Sequence, residues 1–533
     1  MEDVAEMLSR GFDFSLMDMS TRTMMHQVYA SLPPPPTRTA APLASAAAAR
    51  APEDGIDRIS RLPVEILRDI VSRLPAKDAA RTTALAKRWR RVWHSVPLVL
   101  VDAHLLPGRA RAARPRRFMD ILTAPRGVAD AVSRALAAHP GPFRCVYLTG
   151  TPMDAHRAEA TLWLQLLAAK GIQDLVFVNR ATKFALDLEL PATLFKCSSL
   201  TRLYLGCWKF PGTAALPRVA AFPYLQELGL SSVAMEPGDL AFLLERCPVL
   251  EKLVLASNLW PVCIRVQSSS LRCVEVCAGM VPEITVVHAS RLERILLWEA
   301  WGFGPLNNLI SRIKIGHAPK LRILGFLVAG MHQLEIGNTI IKVGTKASPS
   351  TTVPSVKMLG VQVKFGARNE ARMLPSFLRC FPNVETLYVQ SEDPEFKIGH
   401  RGPQPGSSGN GKLDLKLWEE AGPIECVQRH IKKLVLREFR GQRCDLDFLK
   451  FIAERAQVLE EMVIVLTSGN SPSDQVGTKL KTFMASAKWA NRSCKLMIFK
   501  SPFDQKGTAW SFLRAFDFSI EDPFDVSQLK GKC

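Results

Sequence analysis

The chain has 533 residues, 47% of them hydrophobic, with 69 Lys and Arg against 50 Asp and Glu and a net charge of +19. That length excludes one ordinary domain, and that apolar content excludes a chain that stays largely unfolded. No run approaches the roughly 20 apolar residues a membrane-spanning helix needs, so no membrane partner is expected, and the basic balance favours acidic partners without specifying a fold.

The N-terminus reads MEDVAEML. Its acids, Glu2, Asp3 and Glu6, fit neither a secretory signal nor an organelle transit peptide, so an intracellular protein of the nucleus or cytoplasm is expected. Residues 1–30 are rich in Met and predict at most a short helix, with no role assigned. Residues 31–54, "SLPPPPTRTAAPLASAAAARAPED", have almost no large apolar side chain after Leu32 and predict a linker that cannot offset its ordering entropy. Together, residues 1–54 are expected to form a disordered or weakly structured extension.

Residues 55–98 are dense with helix signals. In "RLPVEILRDIVSRLP", Pro63 suits a first helical turn, Leu67, Ile70, Val71 and Leu74 fall on one face joined by Ile66, and Pro75 ends the run. Asp78 is the expected N-cap of a second helix. In the third, Leu85, Trp89, Val92 and Trp93 fall at i, i+4, i+7 and i+8, a single apolar stripe, with Lys87, Arg88, Arg90 and Arg91 on the other faces. Stacking on nucleic acid needs aromatic rings beside the cations. Helical spacing separates them here, so the segment reads as a protein-docking unit. A module of about forty residues has little core of its own and gains from a partner.

Residues 99–139 read as a connecting segment whose basic cluster, "PGRARAARPRRF" (107–118), is expected to be a solvated loop. Residues 140–392 carry a recurring phrase, L-x-x-[LIVM]-x-[LVF], whose leading positions are Leu200, Leu225, Leu250, Leu271, Leu292, Leu321, Val356 and Val384. Their separations are 25, 25, 21, 21, 29, 35 and 28, mostly within the period of leucine-rich repeats. Alternation within each phrase predicts a strand. Stretches such as "GDLAFLLERC" (238–247) and "RMLPSFLRC" (372–380) predict helices between them, so strand followed by helix, repeated, predicts a solenoid. Residues 393–414 are Gly-, Pro- and Ser-rich and read as a flexible loop. Residues 415–505 hold further repeat-like units, "IKKLVLREF", "LDFLKFIAERA", "VLEEMVIVL" and "CKLMIFKSP", and residues 506–533 read as a C-terminal tail that frays from about residue 520.

Motifs for covalent chemistry are lacking. Gly406, Gly411 and Lys412 fit G-x-x-x-x-G-K, but Leu413 stands where a phosphate loop needs Ser or Thr and no strand signal precedes it. The 12 cysteines include no C-x-x-C pair and read as buried thiols. No catalytic residue, cofactor or metal site is expected.

At this point the residues resemble a family. Leu62-Pro63, Ile66-Leu67, Ile70, Leu74-Pro75, Asp78, Leu85 and Lys87-Arg88-Trp89-Arg90 with Trp93 resemble the F-box of plant F-box proteins, with Ala86 where Ser is usual. The remainder resembles the F-box/leucine-rich-repeat branch, and residues 422–464 are similar to the FBD domain that closes many of its members. The resemblance implies an α/β fold: a three-helix F-box, then a leucine-rich-repeat solenoid ending in an FBD-type region. It also implies a non-catalytic receptor of a ubiquitin ligase, binding a Skp-type adaptor and through it a cullin-RING scaffold. The repeats would hold a protein substrate that the residues do not identify. Leu62, Pro63, Ile66, Leu67, Ile70, Leu74, Leu85, Trp89 and Trp93 would form the adaptor surface or the F-box core; the sequence does not separate the two. A ligase-independent scaffold, or a nucleic-acid-binding regulator using the basic surface, are the alternatives.

Overall fold

The computed structural model describes residues 19–36, 59, 61–105, 118–180, 186–213, 216, 221–301, 310–392, 416–467, 470, 474–501 and 512–525. The basic cluster at 107–117, the loop at 393–414 and the G-x-x-x-x-G-K match lie outside them. Two compact units divide the chain, Met1–Trp260 and Pro261–Cys533.

The first unit holds strands β1 (Leu98–Val101), β2 (Phe143–Leu148), β3 (Asp174–Val178), β4 (Arg202–Gly206), β5 (Glu227–Ser231) and β6 (Lys252–Ala256). They pair in that order, all parallel. Parallel strands need crossovers, and helices Phe118–Ala138, Arg157–Ala169 and Asp239–Glu245 supply some of them. Val146, Leu175, Leu203, Leu228 and Leu253 stand in register. So do Leu148, Phe177, Leu205, Leu230 and Leu255, and every one of these ten is buried. The period of two that marks each phrase is thus the inward face of a strand. Residues 99–139, read as a connection, instead contribute most of β1 and a helix. Val96 and Pro97 lead straight from the last helix of residues 61–95 into a strand paired with β2, so no free linker stands between that module and the sheet.

Five successive repeats also carry a backbone signature that the phrase does not spell out. Cys207, Ser232, Ser257, Ala278 and Glu299 all have left-handed φ, between 48° and 59°. Each lies seven residues after its phrase's leading leucine, at positions 200, 225, 250, 271 and 292. Non-glycine residues rarely adopt this region. The repeated turn lets the ladder continue: Cys207 N–H donates to the Ser231 carbonyl at 3.0 Å and Ser232 N–H to that of Ala256 at 2.9 Å.

The second unit holds β7 (Ile264–Gln267), β8 (Cys273–Met280), β9 (Glu283–His288), β10 (Arg294–Trp301), β11 (Ser311–His317), β12 (Ile323–Val328), β13 (His332–Ile336), β14 (Thr339–Ile340), β15 (Met358–Val363), β16 (Thr386–Ser391), β17 (Lys433–Phe439), β18 (Glu461–Leu466) and β19 (Lys495–Phe499). Strands β8, β10, β12, β15, β16, β17, β18 and β19 pair in that order, in parallel. Where the repeat pattern predicts helices between the middle phrases, from that led by Leu250 to that led by Val356, the chain instead builds a second sheet, ordered β14, β13, β11, β9, β7. In β7 and at the start of β11, buried and exposed residues alternate, as in Ile264 and Val266 or Ile313 and Ile315. That is strand periodicity, which a leucine-led phrase does not capture. Helices return later, at Arg368–Cys380 and Arg443–Arg455.

Among the described residues, parts of both terminal segments are packed rather than loose. Helix Met19–Ala30 buries Met24, Met25, Val28 and Tyr29, and Ser31, Leu32 and Pro33 behind it are buried as well. Val28 approaches the sheet where Gly206 has no side chain: a Cβ there would lie 2.9 Å from Val28 Cγ1. Tyr29 Oη donates to the Thr149 carbonyl at 2.8 Å, and Tyr147 Oη to that of Pro34 at 3.2 Å. Residues 512–525, read as part of a C-terminal tail that frays from about residue 520, form helix Phe512–Phe516 and two turns on the second unit's sheet.

Asp102, just after β1, ties the first two strands together. Its Oδ2 accepts Thr149 N–H and Gly150 N–H, each at 2.7 Å. Burial, outweighing those hydrogen bonds, pushes its carboxyl up to about 6. A folded-state value above the ordinary 3.8 means that its contribution to stability is full below pH 3.8 and is lost as pH rises through 6. About two units correspond to roughly 3 kcal/mol. Asp102→Asn keeps an acceptor for both N–H groups and removes the titration. The stability difference between wild type and Asp102→Asn, from urea unfolding at pH 4 to 8, is expected to move against wild type by about that amount. A pH-independent difference would refute this.

Candidate functional site

Residues 61–95 fold as helices Val64–Ser72, Ala76–Arg81 and Lys87–Ser95, with a 3-10 turn at Thr82–Ala84. Pro63 and Pro75 each stand immediately before a helix in extended backbone, so both act as helix boundaries. Asp78, expected as an N-cap, instead lies inside the first turn of its helix, makes no capping bond and pairs with Arg81 at 2.8 Å.

The structure sorts the candidate residues that the sequence left together. Leu67, Val71, Ala79, Trp89 and Val92 are buried and form the module's interior. Leu62, Ile70, Leu74 and Trp93 are half-buried. Pro63 is exposed, and Ile66 and Leu85 stand 47% and 67% exposed. The single apolar stripe from Leu85 to Trp93 does not survive. The last helix begins only at Lys87, because Ala86 is fully extended (φ −163°, ψ 164°), and this break turns Leu85 outward, away from the face of Trp89 and Val92. Ile66 likewise lies outside the buried line of Leu67 and Val71.

The cations serve the module's own backbone. Arg88 donates to the Leu62 carbonyl at 2.8 Å and Arg90 to that of Thr83 at 3.4 Å. Trp93 packs edge-on against His139 with centroids 4.9 Å apart. The His139 ring nitrogen Nε2 lies 3.2 Å from the carbonyls of both Val96 and Pro142, and Lys170 Nζ donates to the His139 carbonyl. Burial holds the His139 imidazole below its ordinary value, so it serves as a neutral packing group. Trp93 therefore binds the module to the sheet behind it.

The strand face opposite the leucine rows carries charged ladders: Arg202 on Asp174 at 2.6 Å and Lys252 on Glu227 at 3.5 Å in the first unit. In the second unit, the residues immediately before the strands pair instead: Arg272 meets Glu293 at 2.7 Å, and Glu385 receives both Lys357 and Lys432, at 2.9 and 3.0 Å. Among the described residues, no group of three or more His, Cys, Asp or Glu is placed to hold a metal ion. Burial pushes the thiols of Cys145, Cys197, Cys207, Cys247, Cys380 and Cys426 up to about 12, which leaves them protonated and unreactive at neutral pH. Among the described residues, no helix is long and apolar enough to cross a membrane.

Three-helix module, parallel repeat sheet and closing strand–helix units define, in that order, a chain of the F-box and leucine-rich-repeat class. Comparison with known proteins agrees segment by segment. The F-box domain matches residues 59–100, the leucine-rich repeats of the FBD-associated F-box protein At5g56370 match residues 160–389, and FBD matches residues 419–464. The F-box/FBD/LRR-repeat protein At1g13570 of Arabidopsis thaliana is 31% identical over 201 residues, 38% of this chain and 44% of that protein. From the same plant, F-box/LRR-repeat protein 13 is 22% identical over 452 residues, 79% of this chain and 92% of that protein. The F-box/FBD/LRR-repeat protein At2g26030 is 24% identical over 484 residues, 83% and 99% respectively. The chain spans about half the length of several curated relatives it matches (44%, 59% and 51%) and nearly all of others. The chain thus carries F-box, leucine-rich-repeat and FBD segments, and its homologues include F-box/FBD/LRR-repeat proteins of Arabidopsis thaliana.

Proposed function

We propose that this chain is a substrate-recognition subunit of a Skp–cullin–F-box ubiquitin ligase, in the nucleus or cytoplasm. The observation that carries the reading is the outward placement of Pro63, Ile66 and Leu85 on an F-box whose interior is filled by other residues. These three are the adaptor-facing residues, with half-buried Leu62, Ile70 and Leu74 beside them in the module. Leu67 and Trp89 hold the module together, and Trp93 fixes it to the repeats. The chain performs no covalent step. It raises the effective concentration of a bound protein near the ubiquitin-carrying enzyme and orients it. Direct continuation of the F-box into β1 suits that role, since a fixed link keeps a captured target at a defined position.

The test is co-purification with a plant Skp-type adaptor, comparing wild type with Ile66→Asp and Leu85→Asp after circular dichroism has shown that all are folded. Adaptor retained by wild type and lost by both variants supports the reading. Failure of folded wild type to retain any adaptor overturns it and favours a ligase-independent scaffold.

A further inference from the structure

We propose that the strand face of the second unit is a docking surface for a partner segment consisting of a short helix end followed by aromatic, acidic and aromatic anchors. Residues 512–525 occupy that surface as an internal competitor of the same chemistry. This deepens the receptor reading by describing what the repeats would bind. Its test uses no adaptor, so either can fail alone.

The face is defined by alternation. Cys273, Arg294, Leu296, Tyr388 and Val435 interleave along their strands with Val274, Ile295, Leu297, Leu387 and Leu434. Cys277, Leu296, Trp298, Phe326, Tyr388 and Val435 from the face cluster with Ala515 and Phe524 of the terminal segment, both wholly buried. That segment is helix and turn and adds no strand to the sheet.

Three anchors hold it. Arg294, 4% exposed, donates to the carbonyls of Ala515 at 2.7 Å, Asp517 at 3.2 Å and Ile520 at 2.7 Å. A guanidinium placed at the end of helix Phe512–Phe516 satisfies carbonyls that the helix leaves open, and it reads backbone rather than side chain. Phe518 lies over Arg272, whose guanidinium carbon is 3.7 Å from the ring centroid, and near Arg294, at 5.0 Å. Phe524 meets Phe326 and Tyr388 edge-on, at 5.1 and 5.3 Å, while Asp522 accepts the Tyr388 hydroxyl at 2.7 Å.

The covered face differs from an ordinary core. Beneath or beside the segment, on the same strand faces, lie Glu275, Arg294 and Arg437, all buried. Burying charges is costly, and hydration returns that cost when they are uncovered. The surface is therefore suited to opening as well as to closure. Strand faces of repeat proteins are also where such folds bind other chains.

The probe is a fluorescein-labelled peptide of residues 512–525, read by anisotropy. A chain ending at residue 511 is expected to bind it saturably. The full chain should bind at least tenfold more weakly, because its own segment competes at high effective concentration. Peptides with Phe518→Ala or Phe524→Ala should bind the shortened chain at least tenfold more weakly than the parent, and Arg294→Lys in that chain should do the same. A shortened chain that melts like wild type and ignores the peptide, or does not distinguish the alanine peptides, overturns the proposal. A full-length Phe524→Ala chain covers the case in which the shortened chain does not fold. It should bind the parent peptide more tightly than wild type does, and no gain would mark the segment as a fixed structural cap.

Discussion

Trp89→Ala is expected to unfold the F-box, whereas Leu85→Asp, four residues away, is expected to leave it folded and to remove the proposed adaptor binding. Trp89 is 3% exposed in a module of three short helices. Truncating a buried tryptophan costs about 3–5 kcal/mol, more than so small an interior can spare. Trypsin susceptibility of the Arg-rich helix Lys87–Ser95 and loss of helical circular dichroism should therefore rise together with loss of adaptor. Leu85, 67% exposed, contributes little to that interior. A charge there should leave melting within a degree or two and weaken adaptor binding by at least tenfold, as expected for an interface anchor worth about 2 kcal/mol. If Leu85→Asp binds like wild type, the adaptor-facing assignment is wrong. If Trp89→Ala stays folded, the division between interior and interface is wrong.

Trp208→Ala is expected to destabilise the first unit by about 3–5 kcal/mol, with urea unfolding as the measurement. Trp208 is wholly buried, stacks on Phe177 with centroids 4.7 Å apart, and donates its indole N–H to the Phe177 carbonyl at 2.9 Å. Alanine leaves both a cavity and a buried carbonyl without its donor. Trp208→Phe keeps one six-membered ring for the stack but loses the hydrogen bond and part of the buried volume, so its cost should be smaller, about 2 kcal/mol. Equal costs for the two variants would show that packing contributes nothing beyond the hydrogen bond.

Local pattern alone makes several parts of the molecule legible. Each of the eight leucine-led phrases is a parallel strand, because a leucine at every second position specifies which strand face is buried. The F-box helices are legible because Pro63 and Pro75 punctuate an apolar repeat at helical spacing. The second sheet is also written in the chain, as I-x-V and I-x-I alternation at 264–266 and 313–315. It is masked because its residues sit where a strand–helix repeat leads one to expect helices. Only tertiary structure decides the rest. The exposure of Leu85 depends on one extended residue, Ala86, in a run that otherwise reads as continuous helix. The left-handed residue closing five of the repeats is Cys, Ser, Ala or Glu, so no glycine announces it. The seating of both ends depends on partners about two hundred residues away, Ser231 for Ser31 and Arg294 for Ala515 and Ile520. A proline-rich stretch and a short terminal helix have too little apolar surface to predict burial alone. They are ordered because a distant sheet face provides Gly206 as a gap for Val28, Arg294 as a clamp, and Phe326 and Tyr388 as a slot for Phe524.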